Sequence, residues 1–361
     1  MKAKGPTLRS SFLFIIGTLL TLFIGYTLLK KFEKPRLNIS VLNEQREYHV
    51  VRPVGVNSGA NKLSRVPLFV CSSNNVPRPP VVKPSPLRFP NQFLPYFKYQ
   101  TGGAVDGWTA PGALMLTWLL SKHQHEIGIS GTVGEIGVHH GRFFIGIALT
   151  AREGESIFAL DVFEDKQDLN VDRSGSGSLH YTRTHAEKFG INMDKDVIVV
   201  KGASNDFSEQ DFISKGLDKV RYMSIDGGHT TTTTQHDLNI AACVTNDGSI
   251  VVVDDFQHVN WPGVSEGVFR FIALQPLGRN GQEHRLVPFL QAHNKLYLTT
   301  PSHHKIYVEF LKNHPFYEQH FKTYPDAKRE NRYGTGLDGF GWVFIAHDPD
   351  VDTYNQEIQK L

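Results

Sequence analysis

Three carboxylates follow two short apolar runs that have the composition of β-strands. Asp226 follows the run at 220–225, and Asp254 and Asp255 follow the run at 249–253. The carboxyl ends of neighbouring parallel strands meet at one edge of a sheet, and the strands lie about 4.8 Å apart. Acids this close repel one another unless a cation or protons compensate them. The pattern predicts a metal site of Asp226, Asp254 and Asp255, and oxygen ligands favour Mg²⁺. The alternative is that Asp254 or Asp255 only caps the next helix.

A histidine that could move a proton lies close to these acids in the sequence. His229 follows Asp226 by three residues, and a neutral imidazole there could take the proton of an acceptor hydroxyl. His258 is a second candidate for this role. The alternative is that His229 sits at a helix start, behind the N-cap residue predicted at Thr230, and bonds only the backbone. We therefore assign Asp226 and His229 as the candidate catalytic residues.

A glycine-containing turn follows an earlier strand, predicted at 132–136. Glu135 lies near the end of this strand, and Gly137 and Gly141 permit a sharp turn and a close approach of the backbone to a ligand. The spacing is G-x-x-x-G and not the dinucleotide-binding G-x-G-x-x-G, which disfavours a nicotinamide-dependent oxidoreductase. Such turns also serve plain packing of a helix on a strand.

An acid ends the following strand, predicted at 156–162. Asp161 occupies the position at which α/β nucleotide-binding folds place a carboxylate on ribose hydroxyls. Phe163 beside it could cover one face of an adenine. The alternative for Asp161 is a loop or helix-capping acid.

Strand-like and helix-like segments alternate from residue 105 onward, which is typical of a parallel α/β sheet. A closing antiparallel pair is predicted at 285–290 and 295–299. The segment 341–345 has the composition of a further strand, and its place in the sheet is left open. The remaining predicted strands are 197–200, 220–225 and 249–253, and the main predicted helices are 110–122, 179–189, 231–244 and 264–274.

Taken in order, these motifs resemble a class I S-adenosylmethionine-dependent methyltransferase, in the branch of the macrocin-type sugar O-methyltransferases. The resemblance covers about residues 105–300. It implies a Rossmann-like sheet of seven strands in the order 3-2-1-4-5-7-6, flanked by helices, with the last-added strand antiparallel. The motifs that carry it are Glu-x-Gly-x-x-x-Gly at 135–141, Asp-Val-Phe at 161–163, the loop at 170–175, Asp-Gly-Gly-His at 226–229, Asp-Asp-Phe at 254–256 and Pro-Gly-Val at 262–264.

The resemblance also implies S-adenosylmethionine as the cofactor and, as in metal-using relatives, Mg²⁺ at the acids of the fourth and fifth strands. One departure is His139, which stands where many members of the wider superfamily have glycine. The residues expected around the cofactor, from its methionine end through the ribose to the adenine loop at 202–205, are Glu135, Gly137, Gly141, Asp161, Phe163 and Ser204.

Composition limits the other functions. The chain has 361 residues, with 38 Lys and Arg against 36 Asp and Glu, and we see no basic stripe of the kind that binds nucleic acid. Its two cysteines make no disulfide framework. Cys243 lies in an apolar helical run and reads as a small core residue, whereas Cys71 lies in a Pro-rich segment and could be free. The redox compartment stays open.

The N-terminal region predicts a membrane anchor. Residues 11–29 are uncharged and about long enough to span a bilayer, and they end in Leu-Leu-Lys-Lys, a poor site for signal-peptide cleavage. We predict a cytoplasmic tail and anchor at 1–36, a Pro-rich stalk at 37–100, the methyltransferase domain at 101–300 and a C-terminal extension at 301–361. Basic residues flank the apolar run on both sides, so its topology stays open. A type II protein of the Golgi or endoplasmic reticulum is one arrangement if the source is eukaryotic.

Two functions follow from these features. The first is a membrane-anchored O-methyltransferase that uses S-adenosylmethionine, with metal assistance, on a hydroxyl of a small molecule or glycan. The second is a non-catalytic, membrane-tethered binding module on the same fold. The complete set of acids at the predicted strand ends favours the enzyme, because a binding scaffold does not need them all.

Overall fold

The computed structural model describes residues 69–71, 85–278, 284–315, 343–345 and 356. The predicted anchor at 11–29 lies outside these residues, as does most of the predicted stalk. Within the part of the chain that is described, no helix has the length and apolarity that a membrane span requires.

A central sheet of eight strands organises the described residues. Its order is β10-β8-β9-β6-β5-β2-β3-β4, and a separate pair joins β1 to β7 in parallel. In the central sheet β9 is antiparallel to both of its neighbours, and the other pairs are parallel. The strands are β1 Val70–Cys71, β2 Thr132–Ile136, β3 Ile157–Asp161, β4 Val197–Lys201, β5 Val220–Ile225, β6 Thr245–Val253, β7 Leu277–Gly278, β8 Val287–Ala292, β9 Lys295–Thr299 and β10 Val343–Ile345.

The mostly parallel, Rossmann-like architecture confirms the predicted fold class, but the strand order differs from a seven-stranded sheet. Seven strands, from β4 across to β8, follow the expected sequence, and β10 adds an eighth beside β8. The edge of β8 offers unpaired backbone groups, and the apolar segment Val343–Ile345 pairs with them. This is the place of the strand that the sequence left open at 341–345.

Helices cover both faces of the sheet, and each face has its own cluster of buried apolar side chains. Because both faces are covered, the inner strands are apolar runs and not alternating patterns. Thr230 caps α6 as predicted, since its hydroxyl accepts the N–H of Thr233. The helices are α1 Phe93–Thr101, α2 Pro111–Glu126, α3 Phe144–Ala148, α4 Leu179–Glu187, α5 Glu209–Ser214, α6 Thr231–Val244, α7 Pro262–Ala273 and α8 Pro301–Asn313.

The packed domain extends beyond the predicted bounds of 101 and 300. Phe93 and Phe97 of α1 lie inside the segment predicted as stalk, yet both are buried in the core. Tyr307 and Leu311 of α8 are buried in the same core, inside the predicted C-terminal extension. The stalk was predicted from proline content, and the aromatic residues of α1 at its C-terminal end bury enough apolar surface to join the domain.

The two cysteines form a disulfide, so the expectations of a free Cys71 and of Cys243 as a plain core residue were wrong. Cys71 and Cys243 are bonded across a sequence separation of 172 residues, with a Cα–Cα distance of 5.5 Å. Pairing of β1 with β7 fixes the segment that carries Cys71 on the domain. Contacts over such a separation leave no local pattern in the sequence.

Candidate functional site

A cavity of about 770 Å³ opens at the carboxyl ends of the central strands. Its walls contain Glu135 from β2, Asp161 from β3, Asp226 after β5, and Asp254 and Asp255 after β6. This is the edge at which open parallel sheets bind ligands, and the volume suits a molecule of cofactor size. The sheet therefore brings the predicted acids to one cavity.

The turn after β2 requires glycine at position 137 because it packs closely against the backbone of Asp226, and its approach to a ligand stays a prediction. Gly137 has φ +83°, and a Cβ atom there would lie 1.7 Å from the carbonyl oxygen of Asp226, so a side chain is excluded. His139 has φ 52° and occupies a left-handed conformation that favours glycine. Its N–H donates to Asp161 Oδ2 at 2.8 Å. This bond helps a histidine to occupy a position at which glycine is common.

Asp161 lies in the cavity wall and also organises the loops around it. Besides the bond from His139, its Oδ1 accepts the N–H of Phe163 at 2.6 Å. Burial raises the pKa of Asp161, and the backbone donors oppose that rise. Each carboxylate oxygen has a second lone pair, which leaves acceptor capacity for a ribose hydroxyl.

Glu135 is 1% exposed, and its Oε1 has no hydrogen-bond partner among the described residues. Burial raises the pKa of Glu135 to about 8, with smaller opposing effects from Lys295 and Ser224. A buried acceptor without a partner costs free energy, so such a group in a cavity wall is suited to bind a donor from a ligand. The ammonium of a methionine moiety is such a donor.

The loop after β4 forms another wall of the cavity. Gly202 and Ser204 line it, and Ser204 Oγ donates to the buried carboxylate of Asp237 at 3.0 Å. This places the loop predicted to face the adenine at the same cavity as Glu135.

Two residues expected at the cofactor are not among the described residues that line the cavity. Phe163 has φ 46° and is fully buried in the core, so it cannot cover an adenine face. Gly141 lies behind the turn, where a Cβ atom would meet Thr182 at 2.9 Å and Ile145 at 3.3 Å. Its small size therefore serves the packing of α3 and α4 and not a direct approach to ligand.

An acid–histidine cluster lies at the mouth of the cavity, formed by Asp226, His229 and Asp255. Their ligand atoms all lie within 4.8 Å of one another. His229 Nε2 lies 2.9 Å from Asp255 Oδ2 and 3.8 Å from Asp226 Oδ1. The structure therefore brings His229 among the predicted metal ligands.

Asp172 orients this histidine from the opposite side. Asp172 Oδ2 lies 2.9 Å from His229 Nδ1 and also accepts the backbone N–H of His229. Burial acts to lower the pKa of His229, but the bonds to Asp172 and Asp255 outweigh it and raise the pKa to about 9. In this arrangement, without a metal, His229 carries a proton at neutral pH. Its role as a proton acceptor stays a prediction.

Asp254 does not join the acid–histidine cluster, which differs from the predicted three-carboxylate set. Its carboxylate is 9% exposed, contacts the buried ammonium of Lys295 and accepts the N–H of Asp255 at 2.8 Å. Asp255, with φ 55°, has already left the strand geometry.

The sequence did not identify several residues of the site. Asp172 lies in the loop at 170–175, which carried part of the resemblance but received no role. Lys295 was only the first residue of a predicted strand. Trp261 stacks on His229 with ring centroids 4.3 Å apart. An acid in a loop rich in Asn, Ser and Gly was the available signal for Asp172, whereas Lys295 and Trp261 had none.

The residues present fit both groups that the fold implies. Glu135 Oε1 and Gly137, which both lie in the cavity wall, fit the methionine end of S-adenosylmethionine. Asp226, His229 and Asp255 fit a divalent cation, and an outer carboxylate on the histidine, here Asp172, is the usual companion of a histidine ligand. The set includes a ring nitrogen, so it also suits Mn²⁺ and other first-row metals in addition to the predicted Mg²⁺.

Comparison with known proteins gives a domain assignment. Residues 135–256 match the family model described as a methyltransferase domain, which confirms the prediction of an S-adenosylmethionine-dependent methyltransferase. No curated protein matches the chain.

Three of the similar solved structures are O-methyltransferases, each at a TM-score below 0.5. The O-methyltransferase NovP is 16% identical, with a TM-score of 0.41, over 52% of this chain and 78% of that chain. The TDP-rhamnose 3'-O-methyltransferase CalS11 of calicheamicin biosynthesis is 15% identical, with a TM-score of 0.38, over 58% and 93%. The O-methyltransferase from Bacillus cereus in complex with SAH is 14% identical, with a TM-score of 0.39, over 58% and 90%.

Proposed function

We propose that this protein transfers a methyl group from S-adenosylmethionine to a hydroxyl of a small molecule or sugar, assisted by a divalent cation. The observation that carries the proposal is that one cavity joins Glu135 Oε1, a buried acceptor without a partner among the described residues, to the acid–histidine cluster. The first feature suits the cofactor and the second suits an acceptor hydroxyl. The macrocin-type branch is part of this proposal.

Different residues of the chain bind the cofactor and the cation. When bound, the cofactor supplies an electrophilic methyl group on a sulfonium. Glu135 and Gly137 would hold its methionine end, Asp161 the ribose, and Ser204 with its loop the adenine end. Asp226, His229 and Asp255 would hold the divalent cation, which lowers the pKa of a hydroxyl bound to it.

The cofactor would supply the methyl group, and the acceptor hydroxyl would give up its proton to a residue of this chain. Asp226 is the better proton acceptor in this site, because His229 is occupied in either state: it holds a proton between Asp172 and Asp255 without the cation and would give its ring nitrogen to the cation when that is bound. Asp226 has a second carboxylate oxygen that can take a proton. Burial, followed by the charge of Asp254, raises the pKa of Asp226 well above its ordinary range. Asp226 in its ionised form is therefore a stronger base than an exposed carboxylate.

The membrane anchor at 11–29 stays part of the proposal, with the methyltransferase domain in an oxidising compartment. The Cys71–Cys243 disulfide supports this placement, because disulfides persist in secretory and extracellular compartments and are rare in the cytosol. Extraction of membranes with alkaline carbonate tests the anchor. Release of the full chain into the supernatant would contradict it.

Methyl transfer to defined acceptors tests the function. The full chain is incubated with S-adenosylmethionine labelled in the methyl group and with simple catechols or methyl glycosides, in EDTA and then with Mg²⁺ or Mn²⁺ restored. We expect label in an ether product, lost in EDTA and recovered with metal. Asp255→Asn should lower turnover and leave cofactor affinity intact. Cofactor binding without transfer to any acceptor would favour the binding module, and full transfer in EDTA would contradict the role of the metal.

A further inference from the structure

Lys295 is a buried cation at the centre of the site. It begins β9, the antiparallel strand beside β6, and it is 1% exposed. Its ammonium contacts the carboxylate of Asp254 and lies 4.4 Å from the ring centroid of Phe143. It also lines the cavity together with Glu135 and Asp226. A lysine side chain is rarely buried to this extent unless nearby acids compensate its charge.

The surrounding acids come from three neighbouring strands. Glu135 belongs to β2, Asp226 follows β5 and Asp254 follows β6. Burial acts to lower the pKa of Lys295, but Asp254 first and then Asp226 outweigh it, and the pKa is raised. Lys295 is therefore a permanent positive charge that partly compensates this group of carboxylates.

We propose that Lys295 is a positioning residue that keeps Asp254 out of the cation site and sets how strongly the methyl-transfer site prefers the cationic cofactor over its neutral demethylated product. By methyl-transfer site we mean the part of the cavity between Glu135 and the acid–histidine cluster. The inference rests on the proposed function, because it requires that S-adenosylmethionine binds in this cavity.

The physical basis is the difference in charge between substrate and product. S-adenosylmethionine carries a sulfonium charge that S-adenosylhomocysteine lacks, and the two molecules otherwise differ by one methyl group. A fixed positive charge nearby disfavours the first ligand and hardly affects the second, because charges interact strongly in a poorly hydrated site. Loss of a packing contact alone would weaken both ligands alike.

Two neutralising variants test the proposal through opposite shifts. In the metal-free full chain, calorimetry measures the dissociation constants of S-adenosylmethionine and S-adenosylhomocysteine. Lys295→Met should raise the preference for S-adenosylmethionine at least fivefold, because the acids lose their counter-charge. Asp254→Asn should lower that preference at least fivefold. The double variant should return near the wild-type ratio, and Lys295→Arg should retain it.

Lys305→Met provides the matched control, since Lys305 is exposed and pairs with Glu309. Its ratio should equal that of the wild type. Unchanged ratios in both charge variants, or equal weakening of both ligands, would overturn the proposal. If Lys295→Met does not fold, the shift in Asp254→Asn decides the matter alone. Failure of the wild type to bind either ligand would instead overturn the proposed function.

Discussion

Replacement of Glu135 by glutamine gives the sharpest test of the cofactor site. The Glu135 carboxyl is buried, its Oε1 has no partner among the described residues, and burial raises its pKa to about 8. We expect the ionised form to accept the ammonium of S-adenosylmethionine. Glutamine keeps the shape of the side chain and removes the titration, so Glu135→Gln isolates the charge.

The magnitude follows from the pKa. With a pKa of about 8, roughly 3% of Glu135 is ionised at pH 6.5 and about three quarters at pH 8.5. A charge-assisted hydrogen bond contributes about 2 kcal/mol, a factor of about 30 in affinity. The wild type should therefore bind the cofactor about twofold more tightly than Glu135→Gln at pH 6.5, and about twentyfold more tightly at pH 8.5.

Calorimetry at both pH values measures this ratio for S-adenosylmethionine. The cofactor's own amino group also titrates in this range, and its effect cancels in the ratio when both proteins bind the ammonium form. Glu266→Gln, a change at an exposed residue paired with Arg270, is the control and should behave as the wild type at both pH values. A ratio that does not change with pH would refute either the raised pKa or the contact between Glu135 and the cofactor.

Three further changes test other parts of the structure. Asp172→Asn removes the carboxylate that orients His229, so it should weaken Mn²⁺ binding about 10- to 100-fold. A titration followed by electron paramagnetic resonance measures this affinity, and an unchanged affinity would count against a metal site at the acid–histidine cluster. Burial raises the pKa of Asp237 to about 7, above the unfolded value of 3.8, so the folded state holds the proton more tightly and loses stability as the pH rises. Asp237 alone should therefore lower the free energy of unfolding by about 2–3 kcal/mol between pH 5 and pH 8, so in denaturant titrations the loss in Asp237→Asn should be smaller than the wild-type loss by this amount. Cys71→Ser should lower the free energy of unfolding by about 3–5 kcal/mol, and treatment of the wild type with dithiothreitol should lower it by the same amount. Free thiols found by non-reducing peptide mapping would contradict the disulfide.

The strands were predictable because their signal is local. The runs at Thr132–Ile136 and Val220–Ile225 have the bounds that the sequence indicated, since apolar, β-branched segments bounded by polar turns leave little choice. Once the strands are parallel and in the expected order, their carboxyl ends meet. This is why Glu135, Asp161 and Asp226 were placed correctly at one cavity.

Side-chain direction was less accessible from the sequence. Phe163 was expected to face a ligand, but its φ of 46° turns it into the core, and a positive φ at phenylalanine has no local sequence signal. The different partners of Asp254 and Asp255 were also not accessible from the sequence, because both acids follow the last strand residue, Val253, and Asp255 adopts a φ of 55°.

Contacts between distant segments could not be predicted at all. Asp172 meets His229 across 57 residues, and Lys295 meets Asp254 across 41. Each contact depends on how the tertiary fold places two segments that are distant in the sequence. Composition identifies the candidates but not their partners, because an acid or a lysine in a loop is usually solvated.

The sequence indicated that the acids of the site repel one another, and two positively charged side chains compensate their negative charges. Lys295 forms an ion pair with Asp254, and protonated His229 lies between Asp172 and Asp255. A divalent cation at the acid–histidine cluster would therefore have to displace the proton on His229, because ligand nitrogens must be deprotonated. Metal and proton compete for one position, whereas Lys295 keeps its charge in either state. The charge at the acid–histidine cluster therefore changes with protonation or metal binding, whereas the charge at Lys295 does not.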